Sequence, residues 1–134
     1  MTDALRIGLA GIGTVGAGVA KVLLHNANAL AARAGRPLVI TAVSARARKK
    51  IRGIDLSHIP WVANAAALAG RDDVDVVVEL IGGENGVAYD LAQASLKNRK
   101  HLVTANKAML AYHGAGLAHL AETNEVALKF EAAK

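Results

Sequence analysis

The hydrophobic positions of this chain fall into short, nearly uninterrupted runs separated by longer stretches in which apolar residues recur at helical spacing. The runs predict strands over residues 5–10, 38–44, 75–80, 101–104 and 126–131. The spaced stretches predict helices over 14–32, 64–69, 87–97 and 108–123, with turns at Gly35-Arg36-Pro37 and over 81–86. An irregular basic stretch occupies 45–60. Strands that are apolar on both faces, alternating with helices, imply a parallel α/β sheet with right-handed crossovers and helices on its faces. No internal repeat or low-complexity linker interrupts the pattern.

The first strand runs directly into Gly11-Ile-Gly13-Thr14-Val15-Gly16, and a long amphipathic segment follows. Gly11 permits a tight turn, Gly13 lets backbone approach a pyrophosphate, and Gly16 permits close helix–strand packing. A helix starting here presents free N–H groups and the positive end of its dipole to phosphates. A glycine turn alone is weak evidence, but its placement between a strand and a helix favours dinucleotide binding over a merely structural turn. The fold class expected is therefore a Rossmann-type, doubly wound, mainly parallel sheet in a single domain. Ligands of such sheets sit at the carboxyl ends of the strands, where 11–16, 44–46, 81–83 and 104–107 converge.

Composition fits this reading. The chain has 134 residues, 53% of them hydrophobic but only 3% aromatic, so the core must be built from Val, Leu, Ile and Ala. With no cysteine, disulfides, thiolate catalysis and Cys-ligated metals are excluded. Neither a signal-peptide pattern nor an apolar run of about 18 residues is found, so the expectation is a cytoplasmic protein with no membrane partner.

Charge is distributed unevenly. Arg6, Lys21, Arg33, Arg36, Arg46, Arg48, Lys49, Lys50 and Arg52 lie in the first 54 residues, where Asp3 is the lone acid. An acidic residue at the end of the second strand would accept hydrogen bonds from the adenosine ribose of NAD. Here Ser44-Ala45-Arg46 stands instead, and a guanidinium can pair with a 2′-phosphate, so NADP is the expected cofactor with NAD as the alternative. Lys49 and Lys50 are weaker helpers. The run can also be read as a solvated basic loop. A nucleic-acid patch is disfavoured, because no aromatic residue interleaves it.

Val103-Thr104-Ala105-Asn106-Lys107 closes the fourth strand. Asn106 suits an N-cap, which puts Lys107 in the first helical turn, where the dipole disfavours a cation. An isolated lysine is usually a solvated one; on the crevice side it can orient a substrate oxygen or relay its proton, its amine desolvated. After the third strand, Ile81-Gly82-Gly83 lets main chain pass close to a cofactor. Glu79 in that apolar run needs a hydrogen-bond partner or a solvent path, and is read as structural. His25, His58, His101, His113 and His119 lack ligand spacing, and Trp61 is expected to cover the sheet edge.

Gly11-Ile-Gly-Thr-Val-Gly16, Val78-Glu-Leu-Ile-Gly-Gly83, Val103-Thr-Ala-Asn-Lys-Ala-Met-Leu110 with His113-Gly114, and Phe130-Glu-Ala-Ala133 together resemble the nucleotide-binding half of homoserine dehydrogenase in order and spacing. The resemblance covers essentially the whole chain, and its Thr-Ala-Asn-Lys block is far more specific than the glycine turn. It implies NAD(P)-dependent interconversion of L-homoserine and L-aspartate 4-semialdehyde, in amino-acid biosynthesis towards threonine and methionine. Lys107 then lies beside nicotinamide and substrate. Gly11, Gly13, Thr14, Val15 and Gly16 hold the pyrophosphate and Arg46 meets the adenosine phosphate; beside what the resemblance implies, Lys50, Ile81, Gly82, Gly83, Thr104, Ala105 and Asn106 are expected to complete the cofactor site. Glu131 contributes to a monovalent-cation site at the domain hinge.

Family members continue into a substrate and dimerisation domain that supplies a second catalytic lysine and the acids that grip the substrate amine. This chain stops at Lys134, itself a departure from the family's usual apolar residue. The expectation is thus an NAD(P)-binding domain over 1–134, with the substrate domain and the family's homodimer contacts absent. Such a chain binds cofactor with little or no turnover and holds no complete cation site. Two other functions fit the same residues: a stand-alone NADP-sensing or adaptor module, and the nucleotide half of a related amino-acid dehydrogenase.

Overall fold

Leu5, Ile7, Leu9 and Ala10 are all buried, which a strand achieves only when both of its faces are covered. In the computed structural model, which describes residues 4–11, 16–44, 59–81 and 86–130, they belong to β1 (Leu5–Ala10). The remaining strands are β2 (Leu38–Ser44), β3 (Val76–Glu79), β4 (His101–Thr104) and β5 (Leu128–Phe130). All pair in parallel, in the order β2-β1-β3-β4-β5. The chain adds β2 on one side of β1 and every later strand on the other, so the topological switch lies between the carboxyl ends of β1 and β3.

Side chains alternate across the sheet. Ile7, Leu9, Val76, Val78 and Val103 pack with Leu23, Ala27 and Ala31 of helix α1 (Gly16–Ala34). Val77 and Leu102 face the opposite way, among Leu91 and Leu96 of α2 (Val87–Lys97) and Met109 and Leu117 of α3 (Lys107–Thr123). Each fully buried leucine contributes about 1.5–3 kcal/mol. The Rossmann-type doubly wound sheet expected from the sequence is therefore the observed one.

Several boundaries differ from the sequence reading, each for a local reason. α1 runs on to Ala34, where Gly35 takes φ +71 and its N–H meets the Ala32 carbonyl at 3.2 Å, while Arg36 N–H meets that of Ala31 at 2.9 Å. The helix expected over 64–69 is a 3-10 helix, Ala65–Gly70, whose Asn64 cap accepts a hydrogen bond from the Ala66 N–H. β3 is shorter than 75–80 at both ends. β5 begins at Leu128 rather than 126, and residue 131 lies outside the described part. Trp61 does meet the sheet edge. Val43 N–H bonds the Pro60 carbonyl and Val62 N–H bonds that of Val43, forming a parallel bridge alongside β2.

Asp75 ties together the amino ends of the strands. Its carboxylate accepts from the Arg6 backbone N–H at 2.8 Å and from Arg6 Nε and Nη2 at 3.1 and 3.0 Å, and Arg36 lies 3.5 Å away. Burial pushes this carboxyl up, but the Arg6 bonds and the nearby Arg36 charge outweigh it, leaving it below the usual aspartate value. Beside it, the Asp75 carbonyl accepts the His101 N–H, and His101 Nδ1 accepts the Ala127 N–H at 2.9 Å. Burial holds the His101 imidazole below its ordinary value; Asp75 opposes that shift and Arg36 adds to it. Two of the cations in the basic first 54 residues are thus engaged at the end of the sheet opposite the switch point.

Candidate functional site

At the carboxyl ends of the strands three chain segments meet. Gly11 N–H donates to the Ser44 carbonyl at 2.6 Å, and Leu80 N–H donates to the Ala10 carbonyl at 2.7 Å. Gly11 adopts φ +82, and a Cβ placed on it would stand 2.8 Å from Cγ1 of Ile81 and 3.0 Å from its Cα and N. Only glycine fits a backbone so turned and so crowded. α1 starts at Gly16 with no acid in its first turn, and the positive end of its dipole favours an anion at this end of the sheet. A strand end this crowded at Gly11, with a helix starting at Gly16, suits the close backbone approach that a pyrophosphate needs.

The neighbouring strand ends carry a hydrogen-bonded chain of side chains. Glu79 and Thr104 are register partners of β3 and β4, both buried, and the Thr104 hydroxyl donates to Glu79 Oε1 at 2.6 Å. Thr104 Oγ1 in turn accepts the Asn106 N–H at 3.0 Å. Asn106 Oδ1 caps α3 by accepting the Met109 N–H at 3.0 Å, the role its residue type predicts. Lys107 is the first residue of α3. One expectation is corrected here: its amine is not desolvated, for Lys107 is exposed. The buried positions of this turn belong to Thr104 and Asn106, while Lys107 and Ala108 stand outward.

Of the residues singled out from sequence, Gly11, Gly16, Ile81, Thr104, Ala105, Asn106 and Lys107 are placed at the carboxyl ends of strands or the helix starts beside them. Gly13, Thr14, Val15, Arg46, Lys50, Gly82, Gly83 and Glu131 lie outside the described residues. Sequence reasoning left the Glu79 partner unnamed; the available signal was the equal register of an acid and a threonine at the ends of adjacent parallel strands. Among the described residues no group of three or more metal-ligating side chains occurs, and no helix is long and apolar enough to cross a membrane.

The family model for the NAD binding domain of homoserine dehydrogenase matches residues 11–131. The chain belongs to this family. A homoserine dehydrogenase of Neisseria gonorrhoeae is 44% identical over 129 residues, which is 96% of this chain and 29% of that protein. Among solved structures, a homoserine dehydrogenase of S. aureus superposes with a TM-score of 0.76 at 37% identity, over 98% of this chain and 33% of that one. One from Thiobacillus denitrificans gives 0.76 at 34% identity, over 97% of this chain and 30% of that one. The chain therefore spans about three tenths of the length of the homoserine dehydrogenases it matches, and its likeness to them covers the whole sheet.

Proposed function

We propose that this chain is the nucleotide-binding part of a homoserine dehydrogenase, taking NADP(H) in preference to NAD(H). The meeting of Gly11, Ser44 and Ile81 beside the start of α1, at the switch point of the sheet, carries the reading. Gly11, Gly13, Thr14, Val15 and Gly16 hold the pyrophosphate by backbone approach. Arg46, with Lys50, pairs with the 2′-phosphate, since Ser44 leaves no carboxylate there to repel it. Ile81, Gly82, Gly83, Thr104, Ala105 and Asn106 line the path towards the nicotinamide. When bound, that ring supplies the hydride acceptor for L-homoserine oxidation or the donor for L-aspartate 4-semialdehyde reduction.

Lys107, exposed at the start of α3, orients the substrate oxygen or relays its proton. A second domain brings the remaining substrate contacts and the dimer interface, so the 134-residue chain alone binds cofactor with little turnover. Glu131 is one ligand of a monovalent-cation site that such a domain completes, because a hard cation takes several oxygens.

Calorimetric titration of the chain with NADPH and NADH at low and moderate salt tests the reading. Expected are tighter binding of NADPH, weakening with salt, and loss of the preference in Arg46→Ala. Binding of neither dinucleotide would overturn the assignment. Homoserine oxidation by this chain above a Lys107→Ala control would overturn the need for a second domain.

A further inference from the structure

The step from β4 into α3 takes only Ala105 and Asn106, and it decides where Lys107 emerges. Two backbone N–H groups in this step find side-chain oxygens as partners. The Asn106 N–H goes to Thr104 Oγ1, and the Met109 N–H goes to Asn106 Oδ1. The second bond depends on the first, because the Asn106 side chain reaches Met109 only from a backbone held in the capping conformation, here φ −82 and ψ 83.

A threonine hydroxyl is a rotor, able to donate in several directions and to accept through two lone pairs. Its use as an acceptor for Asn106 requires that its own proton point elsewhere. Glu79 Oε1 takes that proton at 2.6 Å, at the short end for O–H···O bonds. Glu79 and Thr104 are 1% and 0% exposed, so water does not compete for either group. Strand pairing sets Glu79 opposite Thr104 across β3 and β4, which brings the carboxyl within reach of the hydroxyl.

We infer that Glu79 is a positioning residue for Lys107: by taking the Thr104 proton it orients the hydroxyl that holds Asn106 and the first turn of α3. The inference rests on the placing of Lys107 in the dinucleotide crevice. Glu79 thus acts through Thr104 and Asn106 rather than on a substrate. A buried acid in an otherwise apolar strand has its explanation in the turn one strand away, at the end of the sheet where ligand is expected.

Three variants of the 134-residue chain separate this from a general stabilising role: Thr104→Val, which keeps the shape and removes the hydroxyl; Thr104→Ser, which restores it; and Glu79→Leu. Amide hydrogen exchange is read by NMR without dinucleotide, with Leu96 in α2 as internal reference. Thr104→Val and Glu79→Leu should lower protection at Asn106 and Met109 by about tenfold relative to Leu96, and Thr104→Ser should recover it. A second readout uses lysines carrying ¹³C-methyl groups. The Lys107 signal should move when NADPH is added to the parent chain and to Thr104→Ser, and should lose that response in Thr104→Val. Unchanged protection at Asn106 and Met109 in Thr104→Val would overturn the inference, as would a uniform loss that includes Leu96. If NADPH moves no signal in the parent chain while the exchange pattern is as expected, the dinucleotide assignment falls and the hold of Glu79 on the α3 turn stands.

Discussion

Replacing Gly11 by alanine tests how tightly the carboxyl end of β1 is packed, and Gly35→Ala provides the control. Both glycines have positive φ, +82 and +71, so each alanine incurs the left-handed penalty of roughly 1–2 kcal/mol. They differ in surroundings. A Cβ at Gly35 meets nothing within 4 Å, whereas one at Gly11 would lie 2.8 Å from Cγ1 of Ile81 and 3.0 Å from two of its backbone atoms. The side-chain atom can swing away, but the backbone atoms move only if the end of β3 moves with them. Overpacking of that kind costs about 1–3 kcal/mol. The sum for Gly11→Ala is roughly 2–5 kcal/mol, a large share of the ~5–15 kcal/mol that holds a domain together. Urea unfolding followed by the fluorescence of Trp61, the single tryptophan, reads both variants. With an m-value of about 1–3 kcal/mol per molar, Gly11→Ala should lower the midpoint by about 1 M more than Gly35→Ala. It should also lose NADPH binding, which Gly35→Ala retains. Equal midpoint shifts for the two would refute the packing argument.

Three further predictions concern the amino end of the sheet. Asp75→Asn removes the charge facing Arg6 and Arg36; with these side chains partly exposed, the expected loss is about 1 kcal/mol in low salt, shrinking at high salt, as urea midpoints at two ionic strengths would show. His101 gives a pH dependence whose sign follows from its lowered folded-state value. The unfolded chain takes up that proton first, near pH 6.5, so stability is full above this value and declines as pH falls towards the folded-state value. His101→Gln should flatten that part of the profile, and an imidazole that titrates by NMR at or above pH 6.5 would contradict it. The lowered carboxyls of Asp73 and Asp75 contribute stability above about pH 4 that is lost on further acidification.

The sheet was readable in the sequence because its inner strands are buried on both faces, so Leu5–Ala10 and Val76–Glu79 declare themselves as apolar runs broken only at Arg6 and Glu79. Helix α2 was equally plain, bracketed by Gly86 and Asn98. The 3-10 helix at Ala65–Gly70 was not distinguishable from one turn of α-helix, since six residues hold too few periods to tell 3.0 from 3.6. Charge was the least legible property. Arg6 and Arg36 count towards the basic first 54 residues, yet Asp75, far along the chain, engages both, and a pattern read along the sequence does not show which end of a strand a charge occupies. Exposure of Lys107 escaped for a similar reason: the cap identified the turn, but which of its residues are buried follows from packing against the neighbouring strand, where Thr104 meets Glu79.

The strand order also fixes a timetable for synthesis. β1 leaves the ribosome ahead of the other four strands and can pair with β2 once Leu38–Ser44 follows, but its other neighbour, β3, begins near Val76, across the 69-residue separation spanned by the Arg6–Asp75 bond. At roughly 5–20 residues per second, that open side of β1 waits about 3–14 s for its partner. During this interval the apolar row of Leu5, Ile7 and Leu9 has one unpaired backbone edge, the surface that chaperones cover and nascent neighbours misuse. Of the five strands, the one that begins the dinucleotide crevice is thus made first and waits longest for its second neighbour.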